Sequence, residues 1–187
     1  MTEIDVVLDT PRLALARFRP EDRLAHRALL DAPALARLLP VPPPLPDELA
    51  AAVFDQILGL PPTQLHLAIW RRERPALIGS VGIHVDERDR HGALSLGLAD
   101  ADDRGRGLGT EAARAVIGHG FGVMALRKLW FNHHGDNTAV RVAAERLGFR
   151  EVGRQRAHTQ LDGAWVDWVT LELFADEWLA VRDVALR

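Results

Sequence analysis

Between residues 12 and 18 the chain alternates. Leu13, Leu15 and Arg17 fall on one side and Ala14, Ala16 and Phe18 on the other, a period of two that predicts a strand opened by Thr10-Pro11. Pro20, Glu21 and Asp22 then start a helix running to about Leu30, because proline and acidic groups both suit a first helical turn. Ala34 to Leu39 reads as a further helical turn, and Pro40 to Pro46 as a stiff loop that excludes helix and central strand. Asp47 opens a helix whose apolar stripe is Leu49, Val53, Ile57 and Leu60. From Gln64 the period returns to two. Strands over Leu65 to Trp70, Ala76 to Val85 and Ala93 to Ala99, separated by charged turns at 71–75 and 86–92, make an antiparallel meander. Leu108, Ala112 and Val116, with Ala113, Ile117 and Phe121, give the next helix two buried stripes. A strand over Lys128 to His134 follows, then a helix from Asn137 to Leu147 closed by Gly148. Phe149 to Ala157 and Trp165 to Leu173 form a hairpin across Asp162-Gly163, and Asp176 to Val184 a last short helix.

This order predicts an α/β (α+β) fold with a mixed central sheet of six or seven strands and an antiparallel N-terminal meander, flanked by helices, in one domain over residues 1–187. Composition narrows the class. With 48% hydrophobic residues a chain of 187 can bury a proper core. A net charge of −3 leaves no basic excess to drive nucleic-acid binding. Cysteine is absent, which excludes disulfides, thiolate metal sites and cysteine nucleophiles. No apolar run approaches a membrane span and the first residues are acidic rather than basic, so a cytoplasmic location is expected.

The chemistry centres on Arg104-Gly105-Arg106-Gly107-Leu108-Gly109-Thr110, where a strand breaks into a glycine-rich turn and then a helix. Such a junction aims several backbone N–H groups and the positive end of the helix dipole at one point, an anion site suited to a diphosphate. A tight turn with no ligand explains the local string equally well. Two other phosphate loops do not fit. No lysine follows Gly107 or Gly109, and the third glycine of a dinucleotide fingerprint is replaced by Thr110.

Arg104-Gly-Arg-Gly-Leu-Gly109 after a meander strand, with Asn137-Thr-Ala-Val-Arg-Val-Ala-Ala-Glu-Arg-Leu-Gly-Phe149 some thirty residues on, resembles the GNAT superfamily of acyl-CoA-dependent N-acyltransferases. Thr10-Pro-Arg-Leu13, Gly163 with Asp167, and Glu177-Trp178 resemble its RimJ/RimL branch, which acetylates ribosomal-protein N-termini. The resemblance implies acetyl-CoA as co-substrate and an amine acceptor, a protein N-terminus or a small molecule. It also implies that Arg104, Gly105, Arg106, Gly107, Leu108, Gly109 and Thr110 surround the coenzyme pyrophosphate. Leu98 and Ala99 would then pair with the pantetheine arm, with the Leu98 N–H a donor to the oxyanion. Asn137 either contacts the coenzyme or caps its helix, and both roles are compatible.

The reaction this implies needs a base for the amine and a proton for the leaving thiolate. The usual tyrosine acid is replaced by Ala144, in a chain with no tyrosine, and the serine of RimJ/RimL-type members by Val140, which leaves water as the acid. His84 and the strand residues Asn132, His133 and His134 are candidate bases, while Asp86 and Glu87 flank the acceptor groove. Alternation sends His133 and His134 to opposite faces, so the pair does not chelate one ion and no metal is expected. Trp165 and Trp168 fit core packing, a dimer contact or substrate stacking. An acyl-CoA-binding module without turnover, or an interaction domain using the proline loop, are the contrasting readings, and a homodimer follows family habit.

Overall fold

In the computed structural model, residues 5–36 and 44–179 are described. The elements follow in the order β1 (Val6–Asp9), β2 (Leu13–Arg17), α1 (Arg23–Asp31), α2 (Pro33–Ala36), α3 (Asp47–Leu58), β3 (Leu65–Arg71), β4 (Ala76–Asp86), β5 (His91–Leu98), α4 (Leu108–Gly122), β6 (Lys128–His134), α5 (Thr138–Arg146), β7 (Arg150–Leu161) and β8 (Ala164–Phe174). A single 3-10 turn, Pro20–Asp22, leads into α1, where the Asp22 carboxylate accepts the Arg19 N–H at 2.9 Å. Residues 37–43, which hold most of the expected proline loop, and residues 180–187, where the helix expected over Asp176 to Val184 would end, lie outside the described residues.

One sheet orders its strands β1-β2-β3-β4-β5-β6-β8-β7. It is mixed. Antiparallel pairing joins β1 to β4, β5 and β6 run parallel, and β8 lies antiparallel between β6 and β7. The eighth strand is β1, which lacks a clear alternation of its own and pairs with β2 from Val6–Ala16 to Asp9–Ala14. The hairpin turn at Asp162 and Gly163 takes positive φ at both residues (50° and 82°), as a two-residue turn between twisted strands requires.

Backbone contacts divide the chain into two compact units. The first comprises Met1–His84 with Ser95–Val116, the second Val85–Leu94 with Ile117–Arg187. In the first, Phe18, Phe54 and Ala68 pack with Ile57, Leu58, Trp70 and Leu77. Here the expected α3 stripe shifts by one position. Leu49 is exposed, and Ala50 and Phe54 are buried, because the Phe54 ring sits edge-on to Phe18 at 5.9 Å and so sets the helix rotation. The α4 stripes are buried over Leu108, Ala112, Ala113, Val116 and Ile117, while Phe121, expected in the second stripe, is half-buried. In the second unit, Phe131 meets Phe149 edge-on at 5.0 Å, and Val169, Leu171 and Leu173 of β8 are buried beside Leu129 of β6. Among the described residues, no helix is long and apolar enough to cross a membrane.

Candidate active site

In the first unit the chain leaves β5 at Leu98, turns through residues 101–107 and enters α4 at Leu108. Gly105 and Gly107 hold φ of 71° and 79°, left-handed backbone that a Cβ strains, so the two glycines shape the turn. The N–H of Arg104 donates to Ala101 O at 3.1 Å and that of Glu111 to Gly107 O at 3.0 Å. Between them, the amides of Gly105, Arg106, Gly107, Leu108, Gly109 and Thr110 meet no acceptor among the described residues. Six consecutive free donors at the start of a 15-residue helix form an anion site by geometry and by dipole.

The loop is braced from outside itself. Thr10 Oγ1 and Arg12 N donate to Glu111 Oε1 at 2.7 and 2.9 Å, and Arg12 Nε donates to Oε2 at 2.6 Å. The same guanidinium reaches Arg106 O through Nη1 at 2.9 Å. Burial alone would raise the Glu111 pKa, but the hydrogen bonds from Thr10 and Arg12 outweigh it and hold the carboxylate below its ordinary value. Asp103, 3% exposed, is paired with Arg71 Nη1 at 2.7 Å. Arg104 folds back, its Nε and Nη2 donating to Asp100 O and Ala99 O, both at 3.2 Å, and so supports the turn. Sequence reasoning missed Glu111 and the Arg71–Asp103 pair. The signal for Glu111 was the Thr10-Pro-Arg12 string, which carries its two partners a hundred residues away.

The Ala99 N–H is spent on Ile78 O at 3.0 Å. By strand alternation the Leu98 N–H then points to the opposite edge of β5. The β5–β6 register runs only from His91–Lys128 to Ala93–Trp130, so Leu94 to Leu98 have no ladder partner from β6. Leu96 on this stretch is exposed, and Leu96 and Leu98 both approach Gly109. A free strand edge ending at an anion loop suits a ligand with an extended amide-bearing arm and a phosphate end. His84 is exposed on β4, five residues beyond Gly79, the neighbour of Gly97, and so roughly 17 Å along the strand.

In the second unit β6 places its two histidines on opposite faces. His133 is buried, tilted against Phe131 at 6.2 Å, with Nδ1 2.7 Å from His134 O and a buried Nε2 that meets no hydrogen-bond partner among the described residues. His134 lies edge-on to Trp168 at 5.1 Å, and His158 is tilted against the same ring system at 5.9 Å. Asn132 Oδ1 accepts from Thr170 Oγ1 at 2.8 Å. Asn137 Oδ1 accepts the Val140 N–H at 3.2 Å, which is the capping role. Ala144 is buried and offers no proton, and Val140 is half-buried. Trp165 is exposed. Asp86, Asp89 and His91 bring potential ligand atoms within 4.8 Å of one another at the β4–β5 turn, with both carboxylates exposed, a common arrangement without an ion.

Residues 12–150 match the family model described as an acetyltransferase (GNAT) domain. No curated protein matches the chain. Among solved structures, the chain is similar to an acetyltransferase (GNAT family) from Bacillus anthracis, at 17% identity and TM-score 0.75 over 90% of this chain and 98% of that one. It is similar also to spermidine N-acetyltransferase from Vibrio cholerae in complex with CoA and spermine, at 16% identity and TM-score 0.77 over 91% and 99%. A GCN5-related N-acetyltransferase from Brucella melitensis aligns at 20% identity and TM-score 0.73 over 97% and 83%. At these identities the likeness establishes the fold.

Proposed function

This chain belongs to the GNAT acetyltransferase family, and from that membership we propose that it transfers the acetyl group of acetyl-CoA to a primary amine by direct attack in a ternary complex. The observation that carries the reading is the run of six unpaired amides from Gly105 to Thr110 at the head of α4, where a pyrophosphate would be held. The pantetheine arm would lie along the free edge of β5 at Leu96 and Leu98, beside Ala99. The neutral amine attacks the thioester carbon, the carbonyl oxygen becomes an oxyanion facing the Leu98 N–H, and collapse expels the coenzyme thiolate. Asn137 already serves its helix through one oxygen, and its remaining N–H donors are free for the coenzyme.

The amine must lose a proton before or during attack. His84 and His134 are the candidate bases, with a water chain as the alternative, and His84 lies roughly 17 Å along β4 from the position beside Gly97. The thiolate takes its proton from water, since Ala144 and Val140 stand where family acids usually do. Residues 1–187 would act as one acetyltransferase domain, inside the cell and as a homodimer, without metal. What supports a RimJ/RimL-like reading is the Thr10-Pro-Arg-Leu13 string, whose Thr10 and Arg12 brace Glu111. The acceptor is a protein N-terminus or a small amine. A cationic one is favoured by the net charge of −3 and by the spermine in the Vibrio cholerae complex.

Calorimetric titration with acetyl-CoA, beside Gly107→Glu, tests this directly. Saturable binding is expected, lost when a carboxylate is placed in the loop, and an amine panel followed by thiol release should then identify an acceptor. Wild-type protein that binds no acetyl-CoA would refute the assignment. The buried Ala144 favours one second reading, an acyl-CoA-binding module without turnover. Binding with no thiol release on any amine would select it.

A further inference from the structure

On β5, within the first unit, Leu96 and Leu98 send their side chains to one face of the strand, where both reach Gly109 of α4. Gly97 between them turns to the opposite face and has no side chain to cover it. Leu35 of α2 fills that place. A Cβ on Gly97 would lie 2.4 Å from Leu35 Cδ2 and 3.6 Å from its Cδ1 and Cγ, so the leucine rests directly on bare strand backbone. The Gly97 carbonyl oxygen lies toward Gly79 of β4, and the Ala99 N–H is spent on Ile78 O. The Leu98 N–H therefore points to the free edge, one peptide bond from the Cα that Leu35 covers. The position of α2 is fixed. The N–H groups of Leu35 and Ala36 both donate to Ala32 O at 2.9 Å, and Ala36 is buried. Arg27 clamps the chain on either side of α2, through Asp31 at 2.7 Å and Asp47 at 2.8 Å, and donates to Leu45 O at 2.7 Å.

We propose that Leu35 is a specificity-determining residue that restricts the acyl group on the coenzyme to a short one, acetyl in preference to butyryl. The proposal rests on the acetyltransferase reading given above. A thioester oxygen that accepts the Leu98 N–H brings the carbonyl carbon to the strand edge beside Gly97. An acetyl group ends one methyl beyond that carbon. Each further methylene has to run toward one face of β5 or the other. On one face the side chains of Leu96 and Leu98 already pack toward α4, and on the other Gly97 leaves room only as far as Leu35. Close-packed surroundings accept an added methylene only by displacing a side chain, and the clamp on α2 resists that displacement. Leucine offers an apolar wall with no hydrogen bond, so the discrimination is by size.

The test titrates CoA, acetyl-CoA and butyryl-CoA into the wild-type protein, Leu35→Ala and Leu35→Val by calorimetry. Binding is read rather than turnover, so no acceptor is required. The wild type is expected to bind butyryl-CoA about tenfold more weakly than acetyl-CoA. Leu35→Ala closes that gap by strengthening butyryl-CoA, and Leu35→Val, one methylene shorter than leucine, closes part of it. CoA, which carries no acyl chain, binds all three proteins alike. Circular dichroism verifies the fold, and the milder Leu35→Val decides the matter where the larger truncation unfolds the protein. A wild type that binds acetyl-CoA and butyryl-CoA equally overturns the proposal, as does a gap that truncation leaves unchanged. Truncation that weakens all three ligands by the same factor makes Leu35 a packing residue alone and overturns it too. A wild type that binds none of the three forms refutes the acetyltransferase reading itself, and this proposal with it.

Discussion

Glu111 shows how one side chain can govern a loop it does not belong to. Its carboxylate collects the Thr10 hydroxyl, the Arg12 amide and the Arg12 guanidinium, and that guanidinium in turn fixes the carbonyl of Arg106. Removing it leaves three donors, one of them a cation, without their acceptor, beside the loop whose amides face the ligand. Glu111→Ala is therefore expected to lower stability by about 1–3 kcal/mol and to weaken acetyl-CoA binding about tenfold. Chemical denaturation and calorimetry measure the two effects separately. Loss of stability with unchanged affinity would confine Glu111 to folding. The depressed pKa also has a sign. The carboxylate stabilises the native state at pH above its ordinary value, and that contribution fades as pH falls through the lower native value.

Elements were more legible than sites. The periods of β2, β3, β4, β6, α4 and α5 could be read because each has a buried face that fixes its spacing. β1 could not, since four residues at a sheet edge carry too little pattern, and α3 was misread by one position because Phe54 outweighs the smaller residues around it. The glycine loop was visible as a string, whereas its brace was not, because Glu111 and Arg12 meet only after folding. Gly79 was similarly silent. A Cβ there would lie 2.1 Å from the carbonyl oxygen of Gly97, a distance real Cβ atoms do not take, so β4 and β5 approach closely at this point. Gly79→Ala should destabilise the protein by about 1–3 kcal/mol and disturb the neighbouring Ile78–Ala99 bond that ends β5. A thermal melt within experimental error of wild type would show that the strands can part there freely. Asn137 is tested at the same scale. Ala at the N-cap of α5 should cost about 1 kcal/mol, while Ser should retain most of the cap. Acetyl-CoA affinity that drops in Asn137→Ser despite retained stability would mark a coenzyme contact beyond capping.

For the molecule as a whole, the response to acid is set in part by two histidines that no proposed step employs. His26 sits in the first unit between Phe18 at 5.3 Å and Phe54 at 5.0 Å, and His66 stacks on the Phe18 ring at 5.8 Å. Burial lowers the His26 pKa. Burial first, and then repulsion from His26, bring that of His66 down to about 4. Both native pKa values lie below the unfolded value near 6.5, so the unfolded chain binds protons that the native state refuses. Stability is fully present above about pH 6.5 and falls as pH drops toward 4, the His66 shift alone amounting to about 3 kcal/mol. Urea unfolding at pH 7.5 and pH 5 should thus give a lower midpoint in the more acidic buffer. His66→Gln removes the titrating group and should flatten that dependence, even where its stability at pH 7.5 is reduced by the altered packing. The slope separates the two contributions, since a packing defect lowers both midpoints together and proton uptake lowers only the acidic one. An equal pH dependence in wild type and His66→Gln would place the acid sensitivity elsewhere, as at the Glu111 carboxylate that holds Arg12.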